Sequence, residues 1–489
     1  MLRLCTLSVL PLACAPRSPR NGRVTFCHYS AQQQQQQQQG EDLIAWVRQN
    51  GGQVHPSLRL LFHSCSGVGL AVTRPLLSGT PLITLPPHLP LSLPASTTSS
   101  AQEHTLLQLA QLVPGVIEGD SNVFKRGGLT EDLWALKLGL RLLMERAQTD
   151  SFWWPYISNL PQRFNIPVFF TGSEIANLQY APVIYQVKKR CRALLDLAKE
   201  VEMVLSKLSA PQQPFGGQEV NASSLGWAMA AVSSRAFQMR NSSGSSRVML
   251  PLIDMCNHSF TPNARIIQQE EKNGASFVVV AEDNLQGGAN ILLSYGSLSN
   301  DILLLDYGFV EPQNLHDVVE MRYDKVMVDA ARVAARLQGD SFSQPAEWKL
   351  SILEQLNLEG VGASLQVKFG GPDLVDSRLL AALRVLYAQD SDSVQGKDIA
   401  ELQMWSGFSS ADMIESNVLK TLLAMCTLLL GHFPTSITED KEALKREELT
   451  EAGRLGLEYR IAKKKLLVDC MHGLSQKLYS LERDKMFKK

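Results

Sequence analysis

Three short strings between Leu250 and Phe309 gather the residues able to do chemistry. Pro251-Leu252-Ile253-Asp254-Met255-Cys256-Asn257-His258-Ser259 sets Asn257 and His258 directly after a segment apolar enough to be buried. Ile291-Leu292-Leu293-Ser294 reads as a strand ending at Tyr295-Gly296, and Leu303 to Phe309 carries a second tyrosine, Tyr307. One imidazole with no thiolate cluster is a poor transition-metal set, so the expected chemistry is metal-free. Taken singly, each residue has a bland reading. Asn257 and His258 suit buried caps, the tyrosines suit core positions with one satisfied hydroxyl, and Cys256 suits a small buried hydrophobe. Gly67-Val68-Gly69 ahead of a strand is commonly only a turn, although glycine also lets a backbone approach a ligand closely. Arg235, at the end of a helix of small and apolar residues, either snorkels or clamps a carboxylate in a bidentate pair.

The order of these strings is more specific than any one of them. Gly67-Val-Gly-Leu-Ala-Val, Ser151-Phe-Trp-Trp-Pro-Tyr-Ile-Ser-Asn-Leu-Pro, Pro167-Val-Phe-Phe, Ser234-Arg-Ala-Phe, Asn257-His-Ser, Ser294-Tyr-Gly and Leu305-Asp-Tyr-Gly-Phe follow one another along the chain. The set resembles the SET-domain protein methyltransferases, and within them the plant Rubisco large-subunit lysine methyltransferase family. The similarity runs from about Asp42 to the C-terminus. It implies an α+β protein: a split SET β-fold over 41–310, interrupted by a helical insert at about 100–222, then an all-α substrate-binding domain over 311–489. It implies S-adenosyl-L-methionine as cofactor, held by Ser66, Gly67, Val68, Arg235, Asn257 and His258. It further implies a lysine channel lined by Asp254, Tyr295 and Tyr307, with Arg235 near the substrate and Tyr295 catalytic. Relatives can carry an acidic residue in place of Ser66 and a second arginine in place of Met239, so substrate identity stays open.

Those roles are chemically coherent. Methyl transfer from a sulfonium needs a neutral amine in line with the methyl group. A free lysine has a pKa of about 10.4, so deprotonating it near pH 7.4 costs about 4 kcal/mol. A narrow apolar channel lowers that cost by disfavouring the ammonium. Holding the amine about 3–3.5 Å from the methyl supplies most of the rest as orientation. A tyrosine hydroxyl fixed at a strand end can align the amine and stabilise the polarised methyl.

Around these strings the chain must build β-rich pieces at 65–93 and 248–310, bracketing one helical region and followed by another. Gly69-Leu-Ala-Val and Pro81-Leu-Ile-Thr-Leu are strand candidates separated by a Gly79 turn. Residues 104–210 read as helical, with Leu133, Leu136, Leu140 and Leu143 on one face, Thr130 as a cap, and a longer helix from about Pro182 to Leu208. Between those helices Trp153-Trp154-Pro155-Tyr156 reads as an aromatic and proline corner rather than a helix. Ser223-Ser224 caps a short helix leading to Arg235, and Asn241 to Ser246 reads as a polar flexible loop. Lys463-Lys464-Lys465, in the last helix, reads as a solvated face.

At 489 residues, 45% hydrophobic and 19% charged, the composition is that of a soluble globular protein of two or three domains. A balance of 47 basic against 48 acidic residues argues against nucleic acid as a partner. No apolar run reaches the roughly 18 residues of a membrane span, so no membrane role is expected. Eight scattered cysteines, with no Cys-x-x-Cys pair, favour neither a disulfide framework nor a zinc site. Arg3, Arg17, Arg20 and Arg23 precede the first acidic residue, Glu41, and residues 32–39 are all glutamine. Residues 1–40 therefore read as an organelle presequence outside the fold, plastid first and mitochondrion second. The expected function is S-adenosylmethionine-dependent methylation of a lysine on a folded organellar protein. The alternatives are a catalytically weak scaffold that binds partners through its C-terminal helices, and a histidine methyltransferase.

Overall fold

β-Branched side chains favour a pleated, half-buried surface, and the densest run of them, Val278-Val279-Val280, lies in the central part of the main sheet. The computed structural model describes residues 24–63, 67–94, 100–113, 134–241, 244–271, 274–339, 341–389, 398–404 and 413–487. Ser66, Thr130 and Leu133 lie outside the described residues. The chain forms two units, Met1–Thr171 with Val187–Ser297, and Gly172–Gln186 with Leu298–Lys489.

In the first unit the strands are β1 (Gln53–Val54), β2 (Leu58–His63), β3 (Gly67–Val72), β4 (Pro81–Leu85), β5 (Ala236–Asn241), β6 (Gly244–Met249), β7 (Asn257–His258), β8 (Ala264–Glu271), β9 (Gly274–Ala281) and β10 (Leu292–Leu293). The main sheet has the order β1-β4-β9-β8 and is antiparallel throughout. The two early strand candidates do form, yet they do not pair with each other. β3 pairs with β2, while β4 joins β9 from the far side of the insert. β5 and β6 form a hairpin through the segment read as a flexible loop. Main-chain pairing continues there to Asn241 and Gly244, which is why polar composition misled.

The insert contributes helices Ala101–Leu112, Ala135–Arg146, Ala181–Leu205 (which starts in the second unit) and Ala222–Ser233. The last is capped by Asn221, whose carboxamide accepts from the N–H groups of Ser223 and Ser224. Those serines were expected to be the cap; asparagine one turn edge earlier does the same work. Pro155 occupies the first turn of a four-residue helix, Trp154–Ile157, a position where the missing N–H has no intrahelical partner to lose. The corner is therefore a single helical turn.

The N-terminal helix spans Val24–Gln49 and so begins inside the segment expected to stand apart from the fold. Glutamine is a good helix former. Gly40 is buried, and Asn159 Nδ2 donates to Gln39 O at 3.1 Å, so the segment is tied to the domain before Glu41.

The second unit is mainly helical, with one addition to the expectation: an antiparallel ribbon of β11 (Val318–Arg322) and β12 (Gln366–Gly370). Its helix Met413–Gly431 has the length and composition to cross a membrane, yet Val418, Leu419, Leu422 and Met425 are buried where it packs on Glu451–Phe487. The solvated-face reading of the last helix fails at two lysines. Lys463 is 0% and Lys464 2% exposed. Lys463 Nζ lies 2.6 Å from Asp301 and 2.7 Å from Asp317, and donates to Val318 O at 2.6 Å. Burial alone would push its ammonium pKa down; the two carboxylates outweigh that and hold it above its ordinary value. Lys464 pairs with Asp440, which also takes Arg460 at 2.7 Å. Charge alone suggested solvent because the compensating acids stand far away in sequence.

Candidate active site

The site is assembled where β7 and β10 pair in parallel, a register that sets Leu292 opposite Asn257 and Leu293 opposite His258. Two residues past that pairing, Tyr295 N donates to His258 Nδ1 at 3.1 Å, and the two rings stack at 5.0 Å. The Tyr295 hydroxyl donates to Cys256 O at 2.6 Å. Its proton is thereby directed at a carbonyl, which leaves the phenol oxygen as an acceptor on a half-exposed surface. Cys256 is buried, as read, but it is its backbone carbonyl that meets Tyr295, a contact no side-chain reading could show.

β3 closes the other side. Gly67 has φ +71° with open space where a Cβ would stand, and Val68 is half-buried. At Gly69 a Cβ would come within 2.9 Å of Asn257 Nδ2, so the absence of a side chain there is what admits the Asn257 amide. The close approach read at Gly67-Val68-Gly69 is, at Gly69, an approach of the Asn257 side chain.

Arg235 follows the helix Ala222–Ser233. It donates from Nη1 to the backbone carbonyl of Asp254 at 2.8 Å and not to the carboxylate, so among the described residues it clamps no carboxylate in a bidentate pair. Asp254 sits on a short 3-10 turn, Ile253–Met255, and is 5% exposed. Burial pushes its carboxyl pKa up to about 6 against the opposing pull of the Arg235 charge and a hydrogen bond from the Tyr156 hydroxyl. Arg235 Nε and Asp254 Oδ1 are buried without a hydrogen-bond partner in the structure. Unsatisfied polar atoms of this kind are expensive unless a ligand or water meets them.

A stability test follows from the raised Asp254 pKa. A carboxyl whose folded pKa lies above its unfolded value of about 3.9 stabilises fully below pH 3.9, and that contribution is lost as pH rises through 6. Asparagine keeps the uncharged form at every pH. The melting temperature of Asp254→Asn relative to wild type is therefore expected to be higher at pH 7.5 than at pH 4, by an amount equivalent to roughly 3 kcal/mol at most. Parallel thermal melts at the two pH values measure it; an unchanged difference would contradict the assignment.

Of the residues singled out from sequence, Gly67, Val68, Arg235, Asp254, Asn257, His258 and Tyr295 lie in the first unit. Tyr307 belongs to the second, at the end of a π-helical turn, Leu303–Tyr307, closed by Gly308 at φ +76°.

Two family profiles match the chain: the SET domain over residues 67–296, and the Rubisco LSMT substrate-binding domain over residues 340–467. The chain belongs to the SET-domain proteins of this two-domain type. Among curated proteins, it is 24% identical over 439 residues to the actin-histidine N-methyltransferase of Homo sapiens, covering 87% of this chain and 66% of that protein. The Xenopus tropicalis protein of that name is 24% identical over 456 residues, covering 90% and 70%. The chain thus spans about two thirds of the length of these relatives. Among solved structures, the SET domain of LSMT bound to lysine and AdoHcy superposes with a TM-score of 0.61 at 17% identity, covering 91% of this chain and 92% of that one. Rubisco LSMT bound to AdoMet gives 0.59 at 18% identity, covering 91% and 93%. These likenesses establish the SET fold followed by a helical C-terminal domain.

Proposed function

We propose that the chain is an S-adenosylmethionine-dependent protein-lysine N-methyltransferase. The observation that carries the reading is the convergence of the Tyr295 hydroxyl, Asn257 and the glycine edge of β3 at the β7–β10 pairing. The cofactor fits this chain on its own residues. Gly67 leaves backbone exposed to a ligand, and the buried Gly69 lets the Asn257 amide lie against that edge. The buried, unpartnered Nε of Arg235 offers a further donor. S-adenosylmethionine, when bound, supplies an electrophilic methyl on a sulfonium. Gly67, Val68, Arg235, Asn257 and His258 would hold it, and the Tyr295 oxygen would face the reacting centre as an acceptor. A lysine arrives as a cation and must lose a proton. The Asp254 carboxylate, close in sequence to the Cys256 carbonyl, would attract the arriving cation, while burial of the channel would favour the neutral amine that must form.

Histidine is the second reading, supported by the curated relatives named above. The two targets differ in titration. Neutral imidazole prevails above about pH 6.5, whereas a lysine amine is scarce until far higher pH. Incubating the protein with labelled S-adenosylmethionine and a protein extract, then hydrolysing the labelled band, should release methyl-lysine, with a rate still climbing above pH 8. Methyl-histidine and a rate flat above pH 7 would replace lysine by histidine. No band, together with no cofactor heat in calorimetry, would favour the scaffold. The acid-free, arginine-bearing first 40 residues support an organellar substrate, plastid before mitochondrion; a stromal extract is therefore the first acceptor to try.

Gly69→Ala tests the cofactor edge. Displacing the Asn257 amide should weaken S-adenosylmethionine binding by about tenfold or more, about 1.4 kcal/mol, in a titration calorimeter. Unchanged affinity would remove the β3–Asn257 contact from the cofactor site.

A further inference from the structure

The turn that carries Asp254 is strained and must be held from outside itself. Leu252, fully buried, has φ +70° and ψ −42°, a conformation rarely adopted by a residue with a branched side chain. Such a backbone persists only where surrounding structure over-determines it. Three main-chain bonds close the turn locally: Asp254 N to Leu250 O, Met255 N to Leu252 O, and Cys256 N to Ile253 O. From outside come two side chains. Arg235 grips the Asp254 carbonyl, and the Tyr156 hydroxyl, itself fully buried, donates to Asp254 Oδ2.

Tyr156 is well placed to act as a fixed point. It belongs to the helical turn Trp154–Ile157. Trp153, just before that turn, donates its indole N–H to Leu89 O at 3.0 Å and takes the Arg141 guanidinium over its ring at 5.4 Å. Asn159, just after it, donates to Pro155 O at 2.8 Å. A rigid corner therefore reaches the turn through one phenol, and two residues further along that turn Cys256 O receives the Tyr295 hydroxyl.

We propose that Tyr156 is a positioning residue for methyl transfer, acting through the Asp254 carboxylate to fix the turn whose Cys256 carbonyl orients the Tyr295 hydroxyl. This rests on the methyltransferase reading above. The groups facing the Asp254 carboxyl are Tyr156 from the corner, Arg235 from the end of its helix, and the Cys256 thiol from its own turn. A hydrogen bond donated to the carboxylate favours its charged form. Removing the Tyr156 hydroxyl should therefore move Asp254 titration to higher pH.

Tyr156→Phe, Asp254→Asn and the double variant are compared with wild type. The infrared carboxylic-acid stretch that Asp254→Asn abolishes identifies Asp254. In wild type this band should vanish as pH rises through about 6. In Tyr156→Phe it should persist about one pH unit higher, corresponding to about a tenfold change in the ionised fraction below the titration. The ratio of variant to wild-type rates of label transfer to the same extract band, with saturating S-adenosylmethionine, should be about one fifth at pH 6, fall toward about one tenth near pH 5, and recover as pH rises. Taking the ratio cancels the titration of the target itself. S-adenosylmethionine affinity in calorimetry should change little. The double variant should be no slower than Asp254→Asn, because Tyr156 acts through that carboxylate.

Additive losses in the double variant, or a pH-independent rate ratio with an unmoved band, would overturn the proposal. If Tyr156→Phe does not fold, the wild-type band position and slowed transfer in Asp254→Asn still decide it. A wild-type band that titrates near pH 4, or an Asp254→Asn protein as fast as wild type, would defeat the proposal. Failure of wild type to label any band would instead sink the methyltransferase reading, leaving the infrared shift as a separate result on the Tyr156–Asp254 link.

Discussion

Methyl transfer by Tyr295→Phe is expected to fall by about 10²–10³-fold, the usual loss when one preorganised polar group facing a reacting centre is removed. The substitution deletes only the hydroxyl. The main-chain bond from Tyr295 N to His258 Nδ1 and the stacking of the two rings remain available, so the β7–β10 junction should keep its shape. S-adenosylmethionine affinity should accordingly stay within about twofold, less than 0.5 kcal/mol. The deleted hydroxyl donates to Cys256 O, and losing that bond leaves the carbonyl to find water from the half-exposed side. Initial rates with labelled cofactor, set beside a calorimetric titration, measure both quantities. A variant that transfers methyl at the wild-type rate would take Tyr295 out of the mechanism. One that no longer binds cofactor would show that the ring, and not its oxygen, was the structural requirement.

The second large effect concerns the interior of the C-terminal unit. Lys463→Ala is expected to destabilise that unit by about 3–5 kcal/mol, because removing one partner of a buried ion pair strands the other. Here two acids, Asp301 and Asp317, lose their shared ammonium, and Val318 O loses a donor. Asp317 also accepts from Asn300 N and Nδ2 at 2.9 and 3.0 Å, so it retains some support. Asp301 keeps the Tyr459 hydroxyl at 2.5 Å. Hydrogen exchange in β11 and in the Glu451–Phe487 helix should accelerate accordingly. The penalty should shrink below pH 5, where an unpaired aspartate can take up a proton. Unchanged exchange in those two elements would mean that the unit is held chiefly by its apolar packing.

Most of the first unit was legible in sequence because its signals are local. The strands β3 and β4 form where Gly69-Leu-Ala-Val and Pro81-Leu-Ile-Thr-Leu were read, and the helix Ala181–Leu205 lies within three residues of the limits its apolar spacing gave. Asn257, His258 and Tyr295 were legible as an ordered set, and the parallel pairing of β7 with β10 explains the order, since it carries the Tyr295 amide to the His258 ring. The hairpin β5–β6 was misread because cross-strand main-chain pairing leaves no trace in a polar composition. Lys463 and Lys464 were misread for a related reason: each is buried by acids more than twenty residues away along the chain.

The sequence by itself therefore singled out the residues proposed to do the chemistry, and fixed the order in which they enter the fold. Residue type carries reactivity, and short apolar runs carry the strands that deliver it. Only the tertiary structure decided how those residues are held. It set Gly69 against Asn257, turned the Cys256 carbonyl toward the Tyr295 hydroxyl, and put the Tyr156 hydroxyl under Asp254. Each of these is a contact between segments far apart in the chain. A backbone carbonyl, a missing Cβ and a buried phenol acquire their partners only once packing fixes what stands opposite them.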